Sequence, residues 1–408
     1  MSKEQFSILE EFIKNSKNHA IEVQTFLTAH KALAPESGGD GELEKCEALQ
    51  HWLFHQGLDL QERYDAPDSR VSSGIRPNLV VTVPGKNQNK NLWIMAHMDV
   101  VPEGELDLWS SDPWKVVEKD GKLYGRGVED NQQGMVSGIL AALSFVKNNI
   151  QPELTLKLLF VADEEVGSVY GIQYLLANYS LFNKDDIIII PDSGDSEGKT
   201  IEVAEKNIFW ARFVTKGKQT HGSRPDNGIN AFLANCALAL EINKLEKKLK
   251  KRNKLFEPSW STLQPTKKEA NVPNINTIPG EDVFYVDCRI LPCYNLEYIR
   301  NRINACIAKV ERKYGVSISY SEEQAVESPA TSETAPVVTE LKTAISKIYG
   351  VSAYPIGIGG GTVASYLRNA GYSAAVWSRL EETAHQPNEN CNIESIIGDA
   401  QVFAYIAL

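Results

Sequence analysis

An α/β sandwich on a mostly parallel sheet, interrupted by a smaller ferredoxin-like α+β insert, is the fold class that this sequence predicts. Three observations carry that expectation. Short apolar runs alternate with helical patterns from residue 78 to about 206, as they do where strands and crossover helices build a parallel sheet. Near residue 207 the order changes to β-α-β-β-α-β, provided that a weak strand lies between residues 260 and 270. The first pattern then resumes after Ser321–Pro336, a Ser-, Glu-, Thr-, Ala- and Pro-rich stretch read as a linker. The domains so drawn are 1–206 with 326–408, and an insert at 207–325.

Residues 5–34 read as one helix, with Phe6, Leu9, Phe12 and Ile13 at helical spacing. The loop Pro35–Gly41 precedes a second helix through Leu53. Asn78–Val83 and Leu92–Met98 read as strands, Gln132–Lys147 as an amphipathic helix and Leu154–Ala162 as a strand. A helix at 170–178 and a strand at Asp186–Ile190 complete the first half. In the insert, Ile208–Val214, Val283–Leu291 and Val316–Tyr320 read as strands, and Asn230–Lys251 and Leu296–Tyr314 as helices. Beyond the linker come a helix at 337–348, a strand at 353–358, a helix at 362–370, a strand at 373–378 and a helix at 393–406.

Composition narrows the function. With 42% hydrophobic and 23% charged residues, the chain builds an ordinary core without staples. A net charge of −11 argues against a nucleic-acid or anionic-membrane surface, and the Lys247–Lys254 run reads as a solvated helix face. No segment has the length of apolar sequence that a membrane span needs, and the polar N-terminus has no signal-peptide core. Cys46, Cys236, Cys288, Cys293, Cys306 and Cys391 form no CxxC pair, which fits reduced thiols and a cytoplasmic setting.

Chemistry-bearing residues gather where predicted strands end, the place where open α/β sheets put their sites. His97 and Asp99 stand two apart and face the same way, so one can bind a metal while the other steadies the imidazole. Asp130 follows Gly125-Arg126-Gly127 just before a helix. Asp163-Glu164-Glu165 ends an apolar strand, and adjacent positions there face opposite ways, so a ligand and a general base can be neighbours. Asp192 ends another strand, and His385 lies beyond the last one. Taken singly, each has an ordinary explanation: a strand-end hydrogen bond, a helix N-cap, a solvated carboxylate. Five such positions on successive strand ends make a two-metal nitrogen/oxygen site the better account, and zinc suits that donor set.

In this order, His97-Met98-Asp99, Gly125-Arg126-Gly127 to Asp130, Glu164-Glu165, Asp192 and His385 resemble one family of co-catalytic zinc hydrolases. That family includes carboxypeptidase G, acetylornithine deacetylase, aminoacylase, succinyl-diaminopimelate desuccinylase and bacterial dipeptidases. The resemblance spans nearly the whole chain. It implies two zinc ions per chain, with cobalt or manganese as alternatives. One would be held by His97 and Asp192, the other by Glu165 and His385, with Asp130 bridging. Glu164 would be the general base and Asp99 the partner of His97. The resemblance further implies a cis peptide bond between Asp130 and Asn131. The insert would serve as a dimerisation or lid domain in a homodimer, with His221 assisting the oxyanion of the neighbouring chain. Asn276, Arg289, Gly360, Gly361 and Thr362 would bind substrate, Arg289 through a carboxylate and the glycine loop through N–H groups at a helix start.

The implied reaction is hydrolysis of an amide bond in a dipeptide or N-acyl amino acid. Asp192, where many deacylating members carry Glu, and the stretch Gly359-Gly360-Gly361-Thr362-Val363-Ala364 lean towards dipeptides. Asn131-Gln132-Gln133 lacks the lysine often found after the bridging Asp. An N-acyl amino acid deacylase such as a desuccinylase is the alternative, and an idle metal-binding scaffold is the alternative from another class.

Overall fold

The structure is a computed structural model, and it describes residues 3–408. Two α-helices, α1 (Lys3–Lys14) and α2 (Lys17–Ala29), stand where one long helix was expected. The break falls at Asn15–Ser16, where the Ser16 hydroxyl donates back to the Phe12 carbonyl at 2.8 Å. Next come α3 (Leu43–His55), β1 (Gln61–Pro67), β2 (Ile75–Val83), β3 (Asn87–His97), β4 (Val117–Lys119) and β5 (Lys122–Tyr124). They are followed by α4 (Gln132–Lys147), β6 (Leu154–Val161), α5 (Ile172–Asn178), β7 (Ile187–Asp195) and β8 (Thr200–Glu205). The second half adds β9 (Asn207–Lys216), β10 (Thr220–His221), α6 (Ala231–Glu246), β11 (Thr262–Lys268), β12 (Thr277–Ile278), β13 (Glu281–Ile290), α7 (Leu296–Tyr314) and β14 (Ser317–Val326). The chain closes with α8 (Pro336–Tyr349), β15 (Tyr354–Ile358), α9 (Ala364–Asn369), β16 (Ala374–Arg379), β17 (Asn390–Asn392) and α10 (Ile393–Ala407).

The fold class is α/β with an α+β insert. An eight-stranded sheet runs in the order β1-β2-β6-β3-β7-β16-β8-β15. Its central strands β6, β3, β7 and β16 are mutually parallel, and β2 and β8 flank them antiparallel. Those central strands read as nearly unbroken apolar runs because both faces are covered. For the same reason α4 is not amphipathic: it is buried almost all round, from Gln132 to Phe145. Strand β7 extends past Ile190 to Asp195, because its end pairs in parallel with Ser378 and Arg379 of β16. Asp192 therefore sits within the strand rather than beyond it. Strand β1 carries too little apolar patterning to be read from sequence, and β8 is short, with Ile201 and Val203 alternating in only six residues.

The chain divides into two compact units. One holds the residues up to Val203 with Thr331–Ile356 and Thr362–Leu408; the other holds Ala204–Ala330 with Gly357–Gly361. In the second, four antiparallel strands run β11-β13-β9-β14, the ferredoxin-like order, over a core that includes Phe209, Phe213, Leu238, Ile303 and Ile307. Asn230 and Asn295 cap α6 and α7, each accepting a backbone N–H of the first helical turn through its side-chain oxygen. The expected linker at Ser321–Pro336 begins as strand and ends at the first residue of α8. β14 runs on to Val326 against β9, and a bulge between Glu322 and Gln324 keeps the pairing despite the polar sequence.

Candidate active site

Four neighbouring parallel strands deliver four of the five predicted ligands at or beyond their carboxyl ends. His97 is the last residue of β3, Asp192 lies near the end of β7, Glu165 follows β6 and His385 follows β16. Asp130 comes from the loop that enters α4, across a cis Asp130–Asn131 peptide bond.

These side chains converge in two overlapping groups. His97, Asp130 and Asp192 form one; Asp130, Glu165 and His385 form the other. Asp130 divides its carboxylate between them. Its Oδ1 lies 2.9 Å from His97 Nε2 and its Oδ2 lies 3.0 Å from His385 Nε2. His97 Nε2 is also 3.5 Å from Asp192 Oδ1, and His385 Nε2 is 3.1 Å from Glu165 Oε2. His97 is buried, whereas the side chain of His385 is 54% exposed. The two groups are thus an inner and an outer half.

The orientation of His97 is set from behind. Its Nδ1 lies 2.9 Å from the backbone carbonyl of Asp99, which can only accept, so Nδ1 carries the hydrogen and Nε2 faces the acids. The carboxylate of Asp99 is farther from Nδ1, at 3.5 Å. Its two oxygens instead accept the N–H groups of Glu164 and Glu165 at 3.0 Å each. Asp99 therefore serves His97 chiefly through its main chain, and its carboxylate holds the acidic turn. Asp192 is aimed by the Asn131 side-chain amide, which donates to its Oδ1 and, at 3.0 Å, to the Pro191 carbonyl.

The electrostatics suit a cation. Among the described residues no lysine or arginine is ion-paired with Asp130, Glu164, Glu165 or Asp192; the charged partners of Asp130, Glu165 and Asp192 are the two imidazoles. Burial opposes the charge on His97, but hydrogen bonds to Asp130, Asp192 and Asp99 outweigh it and raise its pKa well above the usual value. Hydrogen bonds to Asp130 and Glu165 raise His385 to about 10. Burial pushes Asp130 up, but the two imidazoles pull it below its ordinary value. Imidazole and carboxylate atoms facing one another at these distances are the donor set of a divalent metal of the zinc type, and the residues fit two such ions.

Glu164 behaves differently from its neighbours. Its carboxyl has no ion-pair partner among the described residues and borders a hollow walled by Met95, Val161, Ile190 and Val363. Burial first, then the charge of Asp192, raise its pKa well above the usual carboxylate range. A carboxyl in that setting takes up a proton readily.

The remaining predicted residues belong to other surroundings. His221, in the insert, pairs through β10 with Thr277 of β12, and its Nδ1 lies 2.8 Å from the Ser223 hydroxyl. Asn276 sits beside it, accepting the Gly222 N–H at 2.6 Å. Arg289 forks onto Asp287, with Nε and Nη2 donating at 2.7 and 3.0 Å, and its Nη1 donates to the Gly359 carbonyl at 2.9 Å. The guanidinium is thus engaged on both sides, by the Asp287 carboxylate and by the Gly359 carbonyl. Gly360 and Gly361 do not open a helix directly: α9 starts at Ala364, whose N–H donates to Thr362 Oγ1 at 3.2 Å.

Sequence reasoning missed the residues that hold the ligand loops. Glu389 accepts the N–H groups of Gly127, Glu129 and Asp130 at 3.0 Å each and pairs with Arg126 at 2.6 Å. Glu129 accepts the N–H groups of Glu381 and Thr383. Behind the acidic turn, Arg76 is buried with Glu42, Asp68 and Asp163. Lys45 donates to the Met98 carbonyl at 2.9 Å, and burial lowers its pKa to about 8. Glu129 stands just before Asp130 and Glu389 four residues after His385, but no local pattern says which irregular backbone N–H groups a carboxylate will meet.

Comparison with known proteins agrees with this geometry. The family model described as Peptidase family M20/M25/M40 matches residues 93–408. An uncharacterized metallohydrolase of Methanocaldococcus jannaschii is 42% identical over 400 residues, covering 94% of this chain and 97% of the relative. A succinyl-diaminopimelate desuccinylase of Coxiella burnetii is 26% identical over 317 residues, covering 76% of this chain and 81% of the relative. Among solved structures, aminopeptidase PepT from Bacillus cereus superposes with a TM-score of 0.77 at 18% identity, covering 96% of this chain and 98% of the other. The chain belongs to peptidase family M20/M25/M40 and is a metallohydrolase acting on amide or peptide bonds.

Proposed function

We propose that this member of peptidase family M20/M25/M40 is a two-metal exopeptidase acting on dipeptides, with Glu164 as its general base. The observation that carries the reading is the divided carboxylate of Asp130, which faces one imidazole with each oxygen, beside an unpaired Glu164. His97 and Asp192 would hold one ion, Glu165 and His385 the other, and Asp130 both. Two zinc ions bound there would polarise the substrate carbonyl and acidify a shared water. Glu164, kept basic by burial and by Asp192, takes the proton of the attacking water and returns it to the departing amine. Asp99 keeps Glu164 and Glu165 in register through their N–H groups.

The proposal extends to the insert. Residues 1–206 with 326–408 act as the catalytic domain, and 207–325 as a dimerisation or lid domain. Supporting a homodimer, α6 exposes a stripe of Leu233, Cys236 and Leu240 next to Phe232, and β11 is an open edge of its sheet. His221 then acts on the neighbour's substrate, while Asn276, Arg289, Gly360, Gly361 and Thr362 hold it. Among the described residues no helix is long and apolar enough to cross a membrane, and a cytoplasmic setting fits the free cysteines.

The second reading, an N-acyl amino acid deacylase, is favoured by the desuccinylase relative. Asp192, rather than Glu, favours dipeptides. A panel of dipeptides against N-succinyl and N-acetyl amino acids, run on zinc-loaded protein, separates the two. Dipeptides turning over at least tenfold faster in kcat/KM, about 1.4 kcal/mol, support the first reading, and the reverse order replaces it with the second.

A further inference from the structure

The inner and outer halves of the site are built with different firmness. His97 ends β3, paired with Val161 of β6, and Asp192 lies in a short bulge of β7 that is closed on both sides by the pairing of Ile190 and Gly194 with β16. His385 lies on the irregular segment 380–389, where Glu382, His385 and Asn388 all have positive φ. Something other than secondary structure must hold its imidazole against Asp130 and Glu165.

Two carboxylates do so, each reaching in the opposite direction. Glu129 reaches from the Asp130 loop and accepts the N–H groups of Glu381 and Thr383, plus the Thr383 hydroxyl at 2.8 Å. These donors end two residues before His385. The same hydroxyl accepts the Asn390 N–H at 2.9 Å, which closes the segment into a loop. Glu389 reaches back from the far end of that segment to the N–H groups of Gly127, Glu129 and Asp130 and to Arg126. Both carboxylates are buried, and neither belongs to a ligand group.

We propose that Glu129 and Glu389 are positioning residues that set metal affinity differently in the two halves. Glu129 governs only the outer half, through the His385 segment. Glu389 governs both halves, through the shared Asp130. The inference rests on the reading that the two groups hold two divalent ions. The asymmetry follows from where each carboxylate attaches. A glutamine at 129 keeps one accepting oxygen but turns an NH2 towards a backbone N–H, so the segment shifts and the imidazole with it. His97, Asp130 and Asp192 keep their own partners. A glutamine at 389 puts the same mismatch against the N–H of Asp130 itself.

Partners behind a metal ligand typically change its affinity by about 10–100-fold. The experiment titrates the metal-stripped full chain with Co2+, following visible absorption and counting bound ions by native mass spectrometry. Glu129→Gln should weaken the second ion by about 10–100-fold and leave the first within about threefold. Thr383→Val, which removes one donor to Glu129, should shift the second ion alone by a smaller factor. Glu389→Gln should weaken both. In Glu129→Gln, an unchanged second ion or equal loss of both overturns the proposal. His385→Ala is the reference for the underlying reading and should hold one ion. A wild-type chain that binds fewer than two ions, or a His385→Ala chain that still binds two, removes that reading itself. If both behave as stated and Glu129→Gln does not, the clasp alone is wrong.

Discussion

Replacing Glu164 by Gln removes a proton acceptor while removing almost nothing else. The carboxyl has no ion-pair partner among the described residues and belongs to neither ligand group, so the substitution breaks no salt bridge and displaces no ligand. Burial and the charge of Asp192 already disfavour its ionised form, so a neutral amide of the same shape should leave stability within about 0.5 kcal/mol or raise it slightly. Metal content should stay at the wild-type value. The cost falls on turnover: a positioned base contributes about 10²–10⁴-fold, or roughly 2.7–5.4 kcal/mol of barrier. KM should change little, because the side chain is not assigned to hold the substrate. The assay measures kcat and KM on the best dipeptide, with bound metal and the thermal midpoint determined on the same sample. A variant that folds, keeps its metal and retains more than about a tenth of wild-type kcat refutes the assignment. A variant that loses metal would instead make Glu164 a ligand, against the geometry.

Other outcomes follow from particular contacts. Arg76→Met leaves Glu42, Asp68 and Asp163 facing one another without their buried cation, so unfolding in denaturant should show a loss of about 3–5 kcal/mol; a loss below about 1 would mean that water reaches the cluster. Burial raises Asp399 from 3.8 to about 6, so the folded chain keeps a proton there that the unfolded chain gives up. Stability should therefore fall as pH rises through that window, by up to about 3 kcal/mol relative to Asp399→Asn, and parallel curves for the two proteins would refute it. His221→Ala and Glu164→Ala, each inactive alone, should recover up to about a quarter of wild-type activity when unfolded and refolded together, since half of random dimers carry one intact shared site. No recovery in a sample shown to contain mixed dimers would return His221 to its own chain.

The legible part of this protein is the part that obeys short periods. Apolar runs marked β3, β6 and β7, and the acids and imidazoles just past them could be placed because strand ends are local facts. The ferredoxin-like order of the insert followed from counting elements, including the weak strand that became β11. What stayed hidden depends on distant partners. β14 continues through Glu322-Glu323-Gln324 only because β9 lies alongside it, and the polar sequence gives no sign of that. Strand β1 pairs with β2 through a sequence with no run of apolar residues, Gln-Glu-Arg-Tyr-Asp-Ala-Pro at Gln61–Pro67. Glu129 and Glu389 drew no reading from the sequence, because their partners are backbone N–H groups of the other loop. That Asp287, two residues from Arg289 on the same strand, holds one edge of its guanidinium was likewise not visible in the sequence.

The distribution of cations within the catalytic unit follows one logic. Buried lysine and arginine side chains are present close to the site, yet each is held one layer behind it. Arg76 is spent on Glu42 and Asp163, Arg126 on Glu389, and Lys45 on the Met98 carbonyl between His97 and Asp99. Their charges lower the cost of gathering so many carboxylates, while their donors stay off the four acids that face the two imidazoles. An arginine or lysine placed directly on Asp130 or Glu165 would stabilise the metal-free form and compete with a divalent ion for the same oxygens. Imidazole can give way, because it loses its Nε2 proton and becomes a ligand itself. A cluster of carboxylates, two histidines and set-back cations thus leaves the oxygens of Asp130 and Glu165 facing groups that a divalent ion can displace.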